Sequence, residues 1–492
     1  MPKLVWRVKL VSERGSGVTT ETEVARIERD EQAGSAELGL RLAEAKRLTA
    51  ALQAQIVPAQ VAVAGEGRRR CEACGRRLAS KGHYRARFRS LFGDVPVRVR
   101  RWFVCPCRGG AGEAKSVTAL DFGGAAVAPE LAYVTARYAA LAPFGKVAAL
   151  LSELLPLGGA QHASTVRNRT LRVGAEVVQA HAAEAPDQPA ARATGPVVVG
   201  LDGGYVRDRH RGEGRHFEVV AGKVIRADGA QHRFAFVRDG QVPASEAFRR
   251  ALAAAGGGAN TPATALCDAA AGLWRLQREV LPNATPVLDW WHAAVRFEHA
   301  LQAARGLDAR LADAAVCGLE RAKWRLWHGR WPGCRRRLAA LRRWAGRESV
   351  REVAGIGRLW QRGAGLLGYL QRNEAALVPY AARRRRGEPI ATSFVESAVD
   401  EIIAWRMAKA QQMRWSKPTV QPFLEVRTAV PNDTLEHAFR RAIPASGPPT
   451  TTAGRQQRRR DHLPRSCMVS STSGADEPGC GFSPPFTICQ AP

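Results

Sequence analysis

Between residues 196 and 292 the sequence becomes a succession of short apolar runs, and two of them end in an aspartate. VVVGLD closes on Asp202 and TALCD on Asp268. Apolar runs of this length, bounded by Gly and polar residues, read as buried strands. HFEVVAGKVI and HRFAFVRD follow the first run and are joined by ADGAQ, which makes them antiparallel neighbours. SEAFRRALAAAG and AAGLWRLQREVLP read as helices, and TPVLDWW as a further strand.

The resulting order, β-β-β-α-β-α-β, is that of a ribonuclease-H-like core. A third acid, Glu396, lies in TSFVESAVDEIIAWRMAKAQQMRW, which has the spacing of one long amphipathic helix. Carboxylates on rigid strands, joined by one from a crossing helix, suit the holding of a pair of Mg²⁺ or Mn²⁺ ions for phosphodiester chemistry. Asp202, Asp268 and Glu396 are therefore the expected catalytic and metal-binding residues. Asp289 rivals Asp268, because it also follows an apolar run, in PVLDWWHAAVRFEH. The spacing Asp-x-x-His puts Asp289 and His292 together at a helix start. They are either an N-cap with a packed histidine or a pair that braces the metal site or the DNA. Strand order favours Asp268.

At 492 residues the chain is too long for one core. Residues 1–60 read as a strand, LVWRVKLV, and a helix on Leu38, Leu40, Leu42, Ala45, Leu48, Leu52 and Ile56 that Pro58 ends. Residues 61–125 hold Cys71-x-x-Cys74 and Cys105-x-Cys107, separated by YRARFRSLFGDVPVRVRRWFVC. That stretch alternates apolar and basic residues on both sides of Gly93-Asp94 and reads as a hairpin with Arg85, Arg87, Arg89, Arg98 and Arg100 on one face. The hairpin would bring four thiolates together for a structural Zn²⁺.

Residues 126–185 read as a helix-turn-helix. Ser164 or Thr165 would cap its second helix, and Arg167, Arg169 and Arg172 would meet DNA from it. Residues 179–196 read as a linker. Residues 196–292 and 389–440 form the two parts of the catalytic core, around an all-helical insertion at 293–388. That insertion carries Trp324, Trp327, Trp331, Trp344 and Trp360, expected mainly as packing residues. Residues 441–492, rich in Pro, Thr, Ser and Gly, read as a disordered tail. The fold class expected is thus multidomain α/β.

The formal charge is +29, from 74 Lys+Arg against 45 Asp+Glu. An excess of that size calls for a polyanionic partner. Nucleic acid is favoured over a membrane, since no apolar run approaches the length of a spanning helix and the N-terminus has no signal-like apolar region. No GxxxxGK[ST] loop is present, so an NTPase motor is not expected.

GLDGGYVRDRHR, LDWWHAAVRFEHAL, TSFVESAVDEIIAWRMAKAQQMRWS and FLEVRTAVPNDTL resemble the ISKra4 family of bacterial insertion-sequence transposases, and the resemblance spans roughly residues 65–440. It implies a DDE transposase dependent on divalent metal, with Asp202 matching the first acid, Asp268 the position of the second and Glu396 the last. Asp289 and His292 match the Asp-x-x-His element that follows the second acid. The family tends to have Gly after that acid, where this chain has Ala269. The expected partners are terminal inverted repeats, target DNA and further copies of the chain, in the cytoplasm and at the nucleoid of a bacterium. A DNA-binding derivative without activity and a metal-dependent nuclease without strand transfer are the alternatives.

Overall fold

The computed structural model describes residues 3–442 apart from 14–16, 18, 33, 68, 109–115, 119, 121–125, 160, 184–194, 210–214 and 409–412. The chain is mixed α/β. It opens with β1 (Lys3–Glu13), β2 (Thr19–Asp30), α1 (Leu42–Gly67), β3 (Ser80–Ser90), β4 (Gly93–Phe103) and β5 (Ser116–Thr118). Three helices follow: α2 (Pro129–Leu141), α3 (Phe144–Leu154) and α4 (Ala163–Ala183). Next come β6 (Val197–Arg207), β7 (His216–Ile225), β8 (Gln231–Val237), α5 (Ala244–Ala254), β9 (Ala263–Cys267), α6 (Ala271–Val280) and β10 (Thr285–Leu288). A helical block runs through α7 (Trp290–Arg305), α8 (Ala309–Trp327), α9 (Trp331–Ala345), α10 (Ile356–Arg372) and α11 (Tyr380–Arg385). The chain closes with α12 (Ser393–Val399), a π-helical stretch (Asp400–Ala408), α13 (Lys417–Ala429) and α14 (Leu435–Ala442). It divides into two compact units. The first comprises Met1–Ala263, Gly272–Ala284 and the stretch from Ser393; the second comprises Thr264–Ala271 and Thr285–Thr392.

In the first unit, β1 and β2 pair antiparallel, with a register shift between Val8 and Lys9. Sequence reading missed β2, because TTETEVARIERD offers no continuous apolar face. The helix after it also differs from expectation. It starts at Leu42, so Leu38 and Leu40 lie outside, and it continues through Pro58 to Gly67. Proline removes one helical hydrogen bond. Val57 and Val61, on either side of it, are buried against Val95, Val97, Val99 and Trp102 of β4, which holds the helix together across the break. The segment Ser35–Gly67 is, by length and composition, apolar enough to cross a membrane, which corrects the expectation that no such run exists. Its buried valines pack on protein.

The hairpin between the cysteine pairs forms as expected, with Ser90 paired to Gly93, so the turn is Leu91-Phe92 and Gly93 begins β4. β5 adds a third, antiparallel strand beside Arg101–Phe103.

Strands β6, β7 and β8 form an antiparallel set in regular register, with Asp202 opposite Ala221 and Ala221 opposite Ala235. The α2–α4 region is no separate domain. Phe144, Val147 and Leu151 of α3 and Val166 of α4 share one core with Val206, Phe217 and Val219 of the strands and with Phe423 and Leu424 of α13. Each such fully buried side chain contributes about 2 kcal/mol of transfer free energy. Ser164 and Thr165 lie within the first turn of α4 and do not precede it. The expected linker falls mostly on residues 184–194, outside the described residues, as does the tail from residue 443.

In the second unit, β9 and β10 run parallel, with Cys267 opposite Leu288. β10 ends at Leu288, so Asp289-Trp290-Trp291 are not strand as expected. Helices α7–α11 form the all-helical block. Trp331 is buried, and Trp327 lies 4.7 Å from Trp290 and stacks on Tyr380. Trp324 and Trp360 are exposed, which departs from a packing role.

Candidate metal centres

The Cys₄ centre sits at the open end of the β3–β4 hairpin. Cys71 and Cys74 lie in a turn before β3, closed by the Gly75 N–H donating to the Cys71 carbonyl at 2.8 Å and by the Cys71 N–H donating to the Arg76 carbonyl at 2.9 Å. Gly75 has φ of 69°, a left-handed conformation that side chains disfavour. Cys105 and Cys107 lie just past β4, around the short 3₁₀ turn Pro106–Arg108. The Cys71 and Cys107 Sγ atoms are 3.5 Å apart, as are those of Cys74 and Cys105, and all four lie within 4.8 Å of one another.

Tetrahedral zinc with Zn–S near 2.3 Å places its sulfurs about 3.8 Å apart, so the four thiols fit that ion. Backbone N–H groups of Cys74 and Ala73 hold the Cys71 thiol down to about 6, whereas hydrogen bonds with the neighbouring thiols of Cys74, Cys105 and Cys71 push Cys107 up to about 12. Four sulfurs this close cannot all ionise without a cation among them. A divalent ion removes that conflict.

Asp202 and Glu396 both belong to the first unit. Asp202 lies in the middle of β6, not at its end as the apolar run suggested. Its strand face carries Gly200, Asp202 and Gly204, alternating with Leu201 and Gly203 on the other face. A Cβ on Gly200 would stand 2.0 Å from Val395 Cγ2, and one on Gly204 would stand 2.9 Å from Ile403 Cδ1. The glycines therefore let α12 and the π-helical stretch lie directly on this face. Asp202, half-buried, is the residue with a side chain between the two contact points, and Glu396 directly follows Val395 on the overlying helix. The Asp202 Oδ1 accepts its neighbour's N–H, from Gly203, at 2.7 Å. The single long helix expected here is instead α12 followed by a π-helical stretch, a change of hydrogen-bond spacing that side-chain periodicity does not reveal.

Asp268, Asp289 and His292 belong to the second unit. Asp268 follows β9 and Asp289 follows β10, at the same ends of two adjacent parallel strands. The Asp289 N–H donates to the Cys267 carbonyl at 3.1 Å. Asp268 Oδ1 accepts the Ala270 N–H at 3.0 Å across a turn in which Ala269 has φ of 80°. Asp289 is fully buried and caps α7. Its Oδ1 accepts the Trp291 N–H at 2.7 Å, and its Oδ2 meets His292 Nδ1 at 2.5 Å and the Thr392 hydroxyl at 2.6 Å. The cap and the Asp–His pair thus coexist. Thr392, missed in the sequence, is the one buried hydroxyl on this carboxylate among the described residues. Its only signal was its place just before the Glu396 helix. Tyr369 donates to the Asp268 carbonyl at 3.3 Å and carries the Arg296 guanidinium 4.1 Å from its ring centre. Tyr380 donates to the Leu288 carbonyl at 2.9 Å, so a tyrosine fixes the end of each strand.

The three arginines of α4 do not share one fate. Arg172 is exposed and Arg167 half-buried, with Nη2 3.4 Å from Thr419 Oγ1. Arg169 is buried and donates to Thr135 Oγ1 of α2 at 3.1 Å, which corrects its reading as a DNA contact. Its guanidinium packs the helices together. No protein-family model matches the chain, and a search of curated proteins finds no match.

Proposed function

We propose that the chain is a DDE-type DNA transposase with a ribonuclease-H-like core, of the ISKra4 kind. The observation that carries the reading is the placement of Asp202 on the glycine-flanked face of β6, beneath the helix that bears Glu396. Glycine at both neighbouring positions of that face lets the helix approach the strand closely, which brings the Asp202 carboxylate near the overlying segment that bears Glu396. In the proposal Asp202, Asp268 and Glu396 supply oxygen ligands. Asp289 orients His292 through its own hydrogen bond. Mg²⁺ or Mn²⁺ held there would activate water or a 3′-hydroxyl and neutralise charge on the leaving oxygen. The zinc of the Cys₄ centre would be structural.

The net charge of +29 supports a DNA substrate. The test is to incubate the purified chain with duplexes carrying the DNA that flanks its coding sequence, with and without Mg²⁺. Metal-dependent nicks at the element ends together with joined products support transposition. Nicks without joining favour a nuclease, and binding without cleavage under any metal favours a DNA-binding derivative.

A further inference from the structure

The β3–β4 hairpin has one face committed to protein and one face left to solvent. Tyr84, Ala86, Phe88, Val95, Val97 and Val99 pack towards Val57 and Val61 of α1. Strand alternation then forces the intervening residues outward, and His83, Arg85, Arg87 and Arg98 are exposed there, with Arg100 half-buried beside His83. Arg85 stands directly opposite Arg98 across the strands. Like charges in that relation destabilise a sheet.

The hairpin has one acid to offset them, Asp94. It lies at the turn, with its side chain 8% exposed and its carboxylate 3.8 Å from Arg89. Among the described residues no carboxylate stands within ion-pair distance of Arg85, Arg87 or Arg98. The basic stripe continues into exposed Arg76 and Arg77 beside the cysteines. Pro96, opposite Arg87, offers no N–H on the outer edge of β4, where β5 does not reach, so that edge is closed to an added strand. The contact surface is the face. Between the hairpin's two ends, where Phe92 and Phe103 are exposed, the exposed side chains of this face are polar or charged apart from Pro96.

We propose that this face of the hairpin is a docking surface for duplex DNA, contacting phosphates through Arg85, Arg87 and Arg98. A two-stranded ribbon is narrow enough for the major groove, about 12 Å wide. The Cys₄ centre closes the ribbon's open end, so the thiolates set the alignment of the arginine rows. This inference takes its substrate from the DNA-processing reading.

The experiment uses the full chain and fluorescence anisotropy on a labelled duplex of its own flanking DNA across a NaCl series. Replacing Arg85, Arg87 and Arg98 together by Gln should lower the slope of log K against log salt by about 2.7 and weaken binding by about two orders of magnitude at 0.1 M salt. Replacing all three by Lys should keep most of the slope. Zinc content should be unchanged in both variants and the melting transition should not fall in either, since these side chains are exposed and the Gln variant also removes the Arg85–Arg98 repulsion. An unchanged slope in the Gln variant would overturn the proposal. So would wild-type binding to vesicles of phosphatidylserine and phosphatidylcholine that is lost in the Gln variant while DNA binding persists. Asp202→Asn, run in parallel, separates the two readings: it should bind with the wild-type slope and fail to cleave, whatever the ribbon variant does.

Discussion

The Asp289 carboxylate, fully buried at the start of α7, holds His292 by Nδ1 at 2.5 Å. The same carboxylate accepts the Trp291 N–H and the Thr392 hydroxyl. One acid thus ends a strand, caps a helix and fixes the plane of an imidazole. An imidazole oriented in this way by a carboxylate is the arrangement that tunes ligand and base histidines.

Replacing Asp289 by Ala should leave the Trp291 N–H, the Thr392 hydroxyl and His292 Nδ1 without their acceptor. Each orphaned buried donor costs about 1–3 kcal/mol, so the loss should exceed that of Thr392→Val, at about 1 kcal/mol. Urea unfolding of the two variants measures both. End cleavage in the Thr392→Val variant should fall about 10–100-fold if Asp289 positions a functional histidine. Wild-type cleavage by that variant would reduce the network to a helix cap.

Ala269 occupies a left-handed conformation, φ 80°, in the turn after Asp268. An L-residue with a side chain pays roughly 1–2 kcal/mol there, whereas Gly does not. Ala269→Gly should therefore stabilise the chain by about 1 kcal/mol, raising the denaturant midpoint without changing the slope of the transition. A destabilised variant would show that the turn is not strained.

The four cysteines should hold one zinc per chain by elemental analysis. Removal by a chelator should loosen the β3–β4 hairpin, read as a lowered melting transition, and Cys74→Ser should do the same. Zinc-free protein that melts like the native chain would dismiss the centre.

His232 on β8 is neutral in the folded protein, because burial pulls its titration down to about 4 from the usual 6.5. Between those values the unfolded chain binds a proton that the folded one does not, so stability should fall as pH drops from about 6.5 to about 4. Urea midpoints at pH 7 and pH 5, compared with those of His232→Gln, isolate this effect. An equal fall in the variant would assign it to other groups.

The parts of the fold that could be read in the sequence are those where one face or both faces are apolar. VVVGLD, HFEVVAGKVI and TALCD announce β6, β7 and β9 because they are buried on both sides. The arginine hairpin was legible because its alternation is unbroken. β2 was not, since Thr, Glu and Arg occupy both of its faces. Pro58 misled because a local rule was overridden by valines packing on either side of it. Arg169 misled because its burial depends on α2, which sequence spacing cannot orient. Of the candidate functional residues, Asp202, Asp268, Asp289, His292 and Glu396 all stood out in the sequence. Thr392 did not, because its role is a hydrogen bond to a residue 103 positions away.

The most direct measurement is end cleavage of flanking DNA in Mg²⁺ by the wild-type chain and by Asp202→Ala, with DNA binding followed in the same samples. We expect binding within about twofold of wild type and no detectable cleavage, because removing an exchangeable carboxylate from the strand leaves the basic surface unaltered. Cleavage at the wild-type rate by Asp202→Ala would contradict the assignment of this strand face as a metal site.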